Sequence, residues 1–554
     1  MRFPYPPRPC GLAARSLRLV FSCLVAVWLA GCASLPADVY RPVSHALQDP
    51  QETALGQKIA QHASAIGARH DSAFRLLGGT EAAYTSRLAL VDAAQKTLDL
   101  QYYAILVDES TGQFVLRLRE AAARGVRVRI LLDDFNTTGA NAQFLRLAFE
   151  PNIQIRLFNP LPGSRRSLVG RLLGSLGNLE QAQRRMHNKM FIADNAIGIT
   201  GGRNLGDAYF GQGTDSNFID LDVLAAGRIV RQMSASFDAY WNNELAYPVQ
   251  SLLSPDELDA LRPTSAAPVT IPDALHPDAA HTAQPAAEIA VAPLDLSPAR
   301  LTWAPSLLLV DKADKIAAED VGTEDTVVDG LLRLMERTQH DLFIVSPYFV
   351  PGDAMMAVFA KLRESGVRVR VLTNSLAATD APLAHVGYAR YRERLLDMGV
   401  ELYEMRAEFN GGASAMSFGS TVRRVASQGS ESSPAKPASL TGSGVASRAS
   451  LHAKTLVLDE SLLVVGSMNL DLRSQLQNSE VALLIRSRSL ARQALELAAP
   501  VLRDDAYHVA LKDGQLVWYA PDGQSTTGPG EPDAGKGLQL MLRLIGPFAP
   551  DEML

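Results

Sequence analysis

The sequence predicts an α/β protein of two tandem domains related by a pseudo-twofold axis. Three observations lead there: helix-like and strand-like segments alternate, the same order of segments occurs twice, and one histidine-lysine motif stands in each copy. In the first copy an amphipathic segment at 84–96 precedes an apolar run at 98–106, and a second helical segment at 114–124 leads to Gly125-Val-Arg-Val-Arg-Ile-Leu-Leu132. Gly125 suits the stop of a helix, and Val126, Val128 and Ile130 then fall on one face of a strand at period two. The second copy runs helix 327–337, strand 341–350 and helix 355–364, then Gly366-Val-Arg-Val-Arg-Val-Leu372, with the two glycines 241 positions apart. A duplicated α/β unit explains both copies.

Composition narrows the class. The 554 residues are 47% apolar and 20% charged, which suits a globular chain of two or three domains and excludes collagen-like, heptad-repeat and wholly disordered readings. Lys and Arg total 53 against 59 Asp and Glu, a formal charge of -6, so nucleic acid is not expected as a partner without a local basic patch. The cysteines are Cys10, Cys23 and Cys32, which leaves no disulfide framework and no thiolate metal site further along.

The N-terminus carries Arg2, Arg8, Arg15 and Arg18 with no acid before Asp38, then an apolar run at 19–30, the pattern of an export signal. It ends Leu29-Ala30-Gly31-Cys32, which resembles a bacterial lipoprotein box with Cys32 as the lipidation site; an ordinary signal peptide cut near small residues is the alternative. The expected layout is a signal peptide at 1–31, a tether at 32–72, a first domain at 73–262 and an Ala/Pro-rich linker at 263–300. A second domain at 301–510 then carries a Ser/Gly-rich mobile insertion at 411–448, and a tail follows at 511–554. Ala33 after Cys32, rather than Asp, suggests the outer membrane of a bacterial envelope, on the periplasmic side.

The chemistry lies in Met186-His187-Asn188-Lys189-Met-Phe-Ile-Ala-Asp194, with six residues before Gly201-Gly-Arg-Asn204. Its second copy is Leu451-His452-Ala453-Lys454-Thr-Leu-Val-Leu-Asp459, with six residues before Gly466-Ser-Met-Asn469. The histidines are 265 apart, so the second copy gains 24 residues, about where the Ser/Gly stretch lies. In a strand, His187 and Lys189 share a face, as do His452 and Lys454, whereas Asp194 and Asp459 have the opposite parity and are expected to serve structurally although they complete the motif. Two histidines, two lysines and Asn204 and Asn469 as substrate-binding amides suit a phosphodiester: one imidazole attacks phosphorus and the other gives a proton to the leaving alcohol, with no metal or other cofactor. Each imidazole needs an orienting partner on its far nitrogen, for which Glu480 and Asp220 are the candidates.

On these motifs the chain resembles a two-motif member of the phospholipase D superfamily, in the C-type lipoprotein branch of the bacterial cardiolipin synthases. The resemblance runs from about 74 to 488. Less specific support comes from Leu98-Asp-Leu-Gln-Tyr-Tyr103, Leu131-Leu-Asp-Asp-Phe-Asn-Thr137, Asn374-Ser-Leu-Ala-Ala-Thr-Asp380 and Ala384-His-Val-Gly-Tyr-Ala-Arg-Tyr391. It implies two phospholipase D-like sandwich domains with the active site at their interface, and phosphatidyl transfer between phospholipids such as phosphatidylglycerol and phosphatidylethanolamine through a phosphohistidine. It assigns His187 as nucleophile and His452 as general acid, although symmetry permits the reverse.

Three rivals remain at this stage: a phospholipase D hydrolase in which water resolves the phosphoenzyme, a nuclease of the same superfamily, and a noncatalytic envelope scaffold. The stretch 162–185 holds Arg165, Arg166, Arg171, Arg184 and Arg185 among leucines, which reads equally as a lipid-facing strip or as a helix packed into the core.

Overall fold

The computed structural model describes residues 35–163, 171, 179–213, 216–261, 300–317, 325–407, 448–528, 530–546 and 550. The signal peptide, Cys32, Arg165, Arg166 and nearly all of the expected linker and insertion lie outside them.

In the first half the strands are β1 Ser72–Leu77, β2 Thr97–Tyr102, β3 Arg127–Asp133, β4 Ile153–Phe158, β5 Met190–Ala193, β6 Ile197–Gly201, β7 Ser216–Ile219, β8 Asp222–Gly227 and β9 Ala246–Pro248. In the second they are β10 Thr302–Trp303, β11 Ser306–Val310, β12 Asp341–Val345, β13 Arg368–Asn374, β14 Glu401–Met405, β15 Arg448–Leu451, β16 Thr455–Leu458, β17 Leu462–Gly466, β18 Val481–Arg486, β19 Ala506–Lys512, β20 Gln515–Tyr519 and β21 Ser525–Thr527. One sheet has the order β10-β1-β8-β6-β5-β2-β3-β4-β9, the other β11-β18-β17-β16-β12-β13-β14-β19-β20-β21. From β1 to β9 and from β11 to β19 the two orders coincide strand for strand, so the duplication read from glycine and histidine spacing is a duplication of topology.

Local chemistry accounts for the elements. The helix Glu109–Ala123 starts on a reciprocal cap between Asp108 and Thr111, and Val327–Met335 starts on the same device between Thr326 and Asp329. Gly125 and Gly366 follow helix ends at φ 92° and 79°, a left-handed conformation that suits glycine, and release the chain into β3 and β13.

Alternation along each strand divides the core. Ile130 and Leu132 join the cluster under the first half's own helices, while Leu131 between them faces a cluster shared by both halves. Leu342 and Ile344 likewise face the second half's helices, while Phe343 and Val345 enter the shared cluster. The two sheets thus lie face to face across a common apolar layer, which also takes in Phe237 and Trp241 from the helix Arg228–Trp241 and Leu490 from Arg488–Pro500.

Three boundaries differ from the sequence reading. Residues 35–72 are folded onto the first half: Leu55 and Ile59 of the helix Ala54–Ala65 enter its core, and the carbonyls of Pro42 and Ser44 accept from Arg156 and Arg129. Burying two guanidinium groups requires acceptors, and this segment supplies them. Thr302–Trp303 pairs with β1, so the first sheet is completed from beyond the linker. In place of a tail, β19, β20 and β21 extend the second sheet, followed by the helix Lys536–Ile545. Among the described residues no helix is long and apolar enough to cross a membrane.

Candidate active site

Each histidine precedes a hairpin. β5 and β6 join through Asp194-Asn195-Ala196, and β16 and β17 through Asp459-Glu460-Ser461, with the first two residues of each loop at φ between 48° and 53°. Asp and Asn tolerate this left-handed turn better than branched residues. The Asp194 carboxylate accepts the backbone N–H groups of Gln95, Lys96 and Thr97 at 2.8–2.9 Å, and that of Asp459 accepts those of Gln339, His340 and Asp341 at 2.7–3.2 Å. The motif aspartates therefore tie the hairpin to the start of β2 or β12. Both carboxylates are taken up by backbone N–H groups, in keeping with the structural role that strand parity predicts for these members of the motif.

The histidines sit where the halves are stitched together. Met186 and Ser479 form a parallel bridge, in which His187 N donates to Ser479 O at 2.9 Å and Ser479 N donates to Arg185 O at 3.0 Å. β7 and β15 pair in parallel over four residues, ending at Ile219 and Leu451, and His452 N donates to Ile219 O at 2.8 Å. Each bridge delivers a histidine from one half beside the carboxylate that follows in the other. His187 Nδ1 donates to Glu480 at 3.0 Å, and His452 Nδ1 donates to Asp220 at 2.7 Å. The carboxylates can only accept, so Nδ1 carries the proton in both rings and Nε2 is left to face the reaction. Among the described residues neither Nε2 has a hydrogen-bond partner.

Lys189 Nζ donates to His187 O at 2.8 Å and Lys454 Nζ to His452 O at 2.7 Å, and Lys454 Nζ also lies 3.3 Å from His452 Nδ1. The Asn204 side chain is held on two sides: Oδ1 accepts Ala104 N at 3.2 Å and Nδ2 donates to the hydroxyl of Tyr209, whose ring stands edge-on to His452 at 5.3 Å. Asn469 Oδ1 is buried with no hydrogen-bond partner among the described residues.

Burial controls the charges. It lowers His187 to about 4 and also lowers His452, in each case against the pull of the partnering carboxylate. It lowers Lys189 to about 7 and depresses Lys454 as well. Burial alone would raise both carboxylates, yet the hydrogen bond and charge of His452 with Lys454 bring Asp220 down to about 2, and His187, Lys189 and Ser467 lower Glu480. Two carboxylates held low thus back two imidazoles and two amines, a charge arrangement suited to an anionic phosphorus centre.

Several supporting residues escape sequence reasoning. Asp133 accepts Met186 N and Asn374 accepts Leu451 N, both at 2.8 Å, from matching ends of β3 and β13, fixing the residue before each histidine. Ser467 and Ser474 donate to Glu480, and Tyr103 packs edge-on against His187 at 5.1 Å. Asp133 and Tyr103 stand in segments singled out above, but only the fold shows their use. Of the 162–185 strip, Arg165, Arg166 and the leucines at 168–176 lie outside the described residues. Arg171, Arg184 and Arg185 are buried: Arg171 pairs with Asp134, and Arg185 with Asp133 at 3.6 Å and with the carbonyls of Asn159 and Gln181.

Two imidazoles with fixed tautomers, two buried amines and crossed carboxylates between duplicated α/β halves define an enzyme of phosphodiester transfer with a two-histidine site. The chain belongs to the family described as cardiolipin synthase, PLD-like domain, whose model matches residues 88–241 and 331–499. It is 37% identical over 443 residues to cardiolipin synthase C of Escherichia coli, covering 79% of this chain and 86% of that protein. It is 30% identical over 482 residues to an uncharacterized protein of Helicobacter pylori, covering 87% and 88%. Phosphatidylserine synthase of Haemophilus influenzae shares the fold, with a TM-score of 0.53 at 13% identity over 90% of this chain and 100% of that structure.

Proposed function

We propose that this protein is a phosphatidyltransferase that makes cardiolipin, or a related phospholipid, from two phospholipids. The observation that carries the reading is the pair of crossed contacts, His187 to Glu480 and His452 to Asp220, which leave two Nε2 atoms for one phosphorus. In the first step His187 Nε2 attacks the phosphorus of a donor such as phosphatidylglycerol or phosphatidylethanolamine. The P–N bond forms, the P–O bond to the headgroup breaks, and the departing alcohol takes the Nε2 proton of His452, which enters this step as an imidazolium with Nδ1–H held by Asp220 and leaves it neutral. In the second, a hydroxyl of an acceptor phosphatidylglycerol attacks the phosphatidyl-histidine, His452 removes its proton, and the P–N bond breaks. Lys189 and Lys454 neutralise the nonbridging oxygens, and the arriving phosphate restores to both the charge that burial takes away.

The 37% identity to cardiolipin synthase C of Escherichia coli over most of both chains supports this substrate class. A lipid anchor at Cys32, on the periplasmic side of the outer membrane, completes the reading, supported by the Leu-Ala-Gly-Cys sequence and Ala33. The test is incubation of the purified full chain with labelled phosphatidylglycerol and phosphatidylethanolamine in mixed micelles, beside His187→Ala and His452→Ala. Cardiolipin formed by the wild type and lost in both variants supports transfer. Phosphatidic acid as sole product makes the enzyme a hydrolase, and lipid turnover independent of the histidines ends the proposal.

A further inference from the structure

The halves are alike in topology but not in how they hold their carboxylates. By strand register Leu77 corresponds to Leu309 and Asp222 to Ala482, which matches Asp220 with Glu480 and Gly79 with Asp311. Around Glu480 runs a closed ring of polar contacts. Glu480 N donates to Asp311 Oδ2 at 3.0 Å, Lys315 Nζ donates to the same oxygen at 2.8 Å and to Ser474 O at 3.0 Å, and Ser474 Oγ returns to Glu480 Oε1 at 3.0 Å. Asp311 N also donates to Glu480 O at 3.0 Å, and Tyr240 of the other half donates to Asp311 O at 2.7 Å. Asp311, Lys315, Ser474 and Glu480 are all buried.

Gly79 offers no such side chain to Asp220. There the buried cation is Arg203, which pairs with the Asp222 carboxylate at 3.3 Å and reaches Asp220 through its backbone, donating to the carbonyls of Asp220 at 2.6 Å and of Gly78 at 3.0 Å. The Asp220 side chain is steadied by its neighbour Leu221 N at 2.8 Å and by His452 itself. One carboxylate is clamped through backbone and side chain alike, the other through fewer contacts.

We infer that Asp311 and Lys315 are positioning residues of the His187 half-site: they fix Glu480 so that His187 holds one ring orientation and one tautomer throughout the cycle. This rests on the phosphatidyl-transfer reading for its kinetic consequence, but not for its geometry. A nucleophile that forms and breaks a bond to phosphorus gains from a fixed approach, since small misplacement costs rate and not affinity. A ring that includes a buried ion pair is costly to leave half-made, so removing one member loosens the rest. The groups facing His187 are Glu480, Lys189, Lys454 and the Tyr103 ring. Glu480 is the one that raises its basicity, so a displaced Glu480 lowers it further.

The test is Lys315→Met in the full chain, read by lipid turnover, thermal melting and NMR titration of selectively labelled histidine. The expected result is a fall in kcat of about tenfold, a fraction of what positioned proton transfer supplies, with KM within about twofold and both the acid limb and the His187 titration displaced to lower pH. A wild-type kcat and titration overturn the inference, as does a loss of rate that follows melting while the titration stays put. If Lys315→Met does not fold, Asp311→Asn, which keeps an acceptor for Val327 N, is read the same way. Absence of lipid turnover in the wild type defeats the functional reading alone, because the His187 titration of the variant against the wild type still decides the inference.

Discussion

Asp220 Oδ2 lies 2.7 Å from His452 Nδ1 although 232 positions separate them, and each belongs to a different half of the duplication. Its counterpart, Glu480 on His187, spans 293 positions in the opposite sense. Removing the charge while keeping the shape tests both. Asp220→Asn and Glu480→Gln should each lower kcat by about 10²–10⁴-fold, because an amide no longer selects the Nδ1–H tautomer. Steady-state kinetics beside a melting curve check this, and a loss under threefold in either variant would remove the orienting role.

Asp194 and Asp459 should behave differently. Asp194→Ala leaves three backbone N–H groups without their carboxylate, at a cost of about 2–4 kcal/mol in stability, while kcat per folded molecule stays within about threefold. Urea unfolding with active-fraction correction measures both quantities. A hundredfold loss of kcat at unchanged stability would return the aspartate to the chemistry.

Gly202 predicts a third effect. A Cβ added there would stand 2.2 Å from Asp220 Oδ1, so Gly202→Ala should push the carboxylate off His452 and lower kcat by about a hundredfold. The matching position in the other half is Ser467, which instead donates to Glu480. Rate and a structure of the variant decide it: an undisturbed Asp220 with full rate would refute the steric argument.

The lysines predict proton-linked binding. Lys189 is lowered to about 7 by burial, whereas in the unfolded chain it titrates near 10.5. Between those values the unfolded state holds more protons, so this group's contribution makes the chain more stable as pH rises through the window. A bound anion restores the charge, so sulfate should bind with proton uptake and lose affinity from pH 7 to 9, approaching tenfold per unit. Calorimetry in buffers of different ionisation enthalpy reads the uptake directly, and equal heats in all buffers would show that Lys189 stays charged.

Much of this was legible in the sequence because it is periodic or local. Helix stops at Gly125 and Gly366, the strand faces and the parity that separates Asp194 from His187 all follow from spacing of a few residues. Glu480 and Asp220 could be named as acids near strand starts, but not matched to their histidines, since the bridges at Met186–Ser479 and β7–β15 join segments with no common periodicity. The burial of Arg171 and Arg185 was hidden for a related reason. A buried cation and a surface cation have the same helical spacing, and only Asp133 and Asp134, some fifty or fewer residues upstream, distinguish them. Burial of the segment before residue 72 depended likewise on distant guanidinium groups.

The crossed carboxylates carry a lesson about assembly. A single half would present a histidine and a lysine but would lack the acid that orients them, while a symmetric pair of such halves would supply each other's missing group. The present chain has the internal logic of a homodimer in one polypeptide, and the clamp around Glu480 is a place where its two halves differ. Separately expressed halves should therefore be inert alone and regain turnover only on mixing, with each half acting as the other's obligate cofactor.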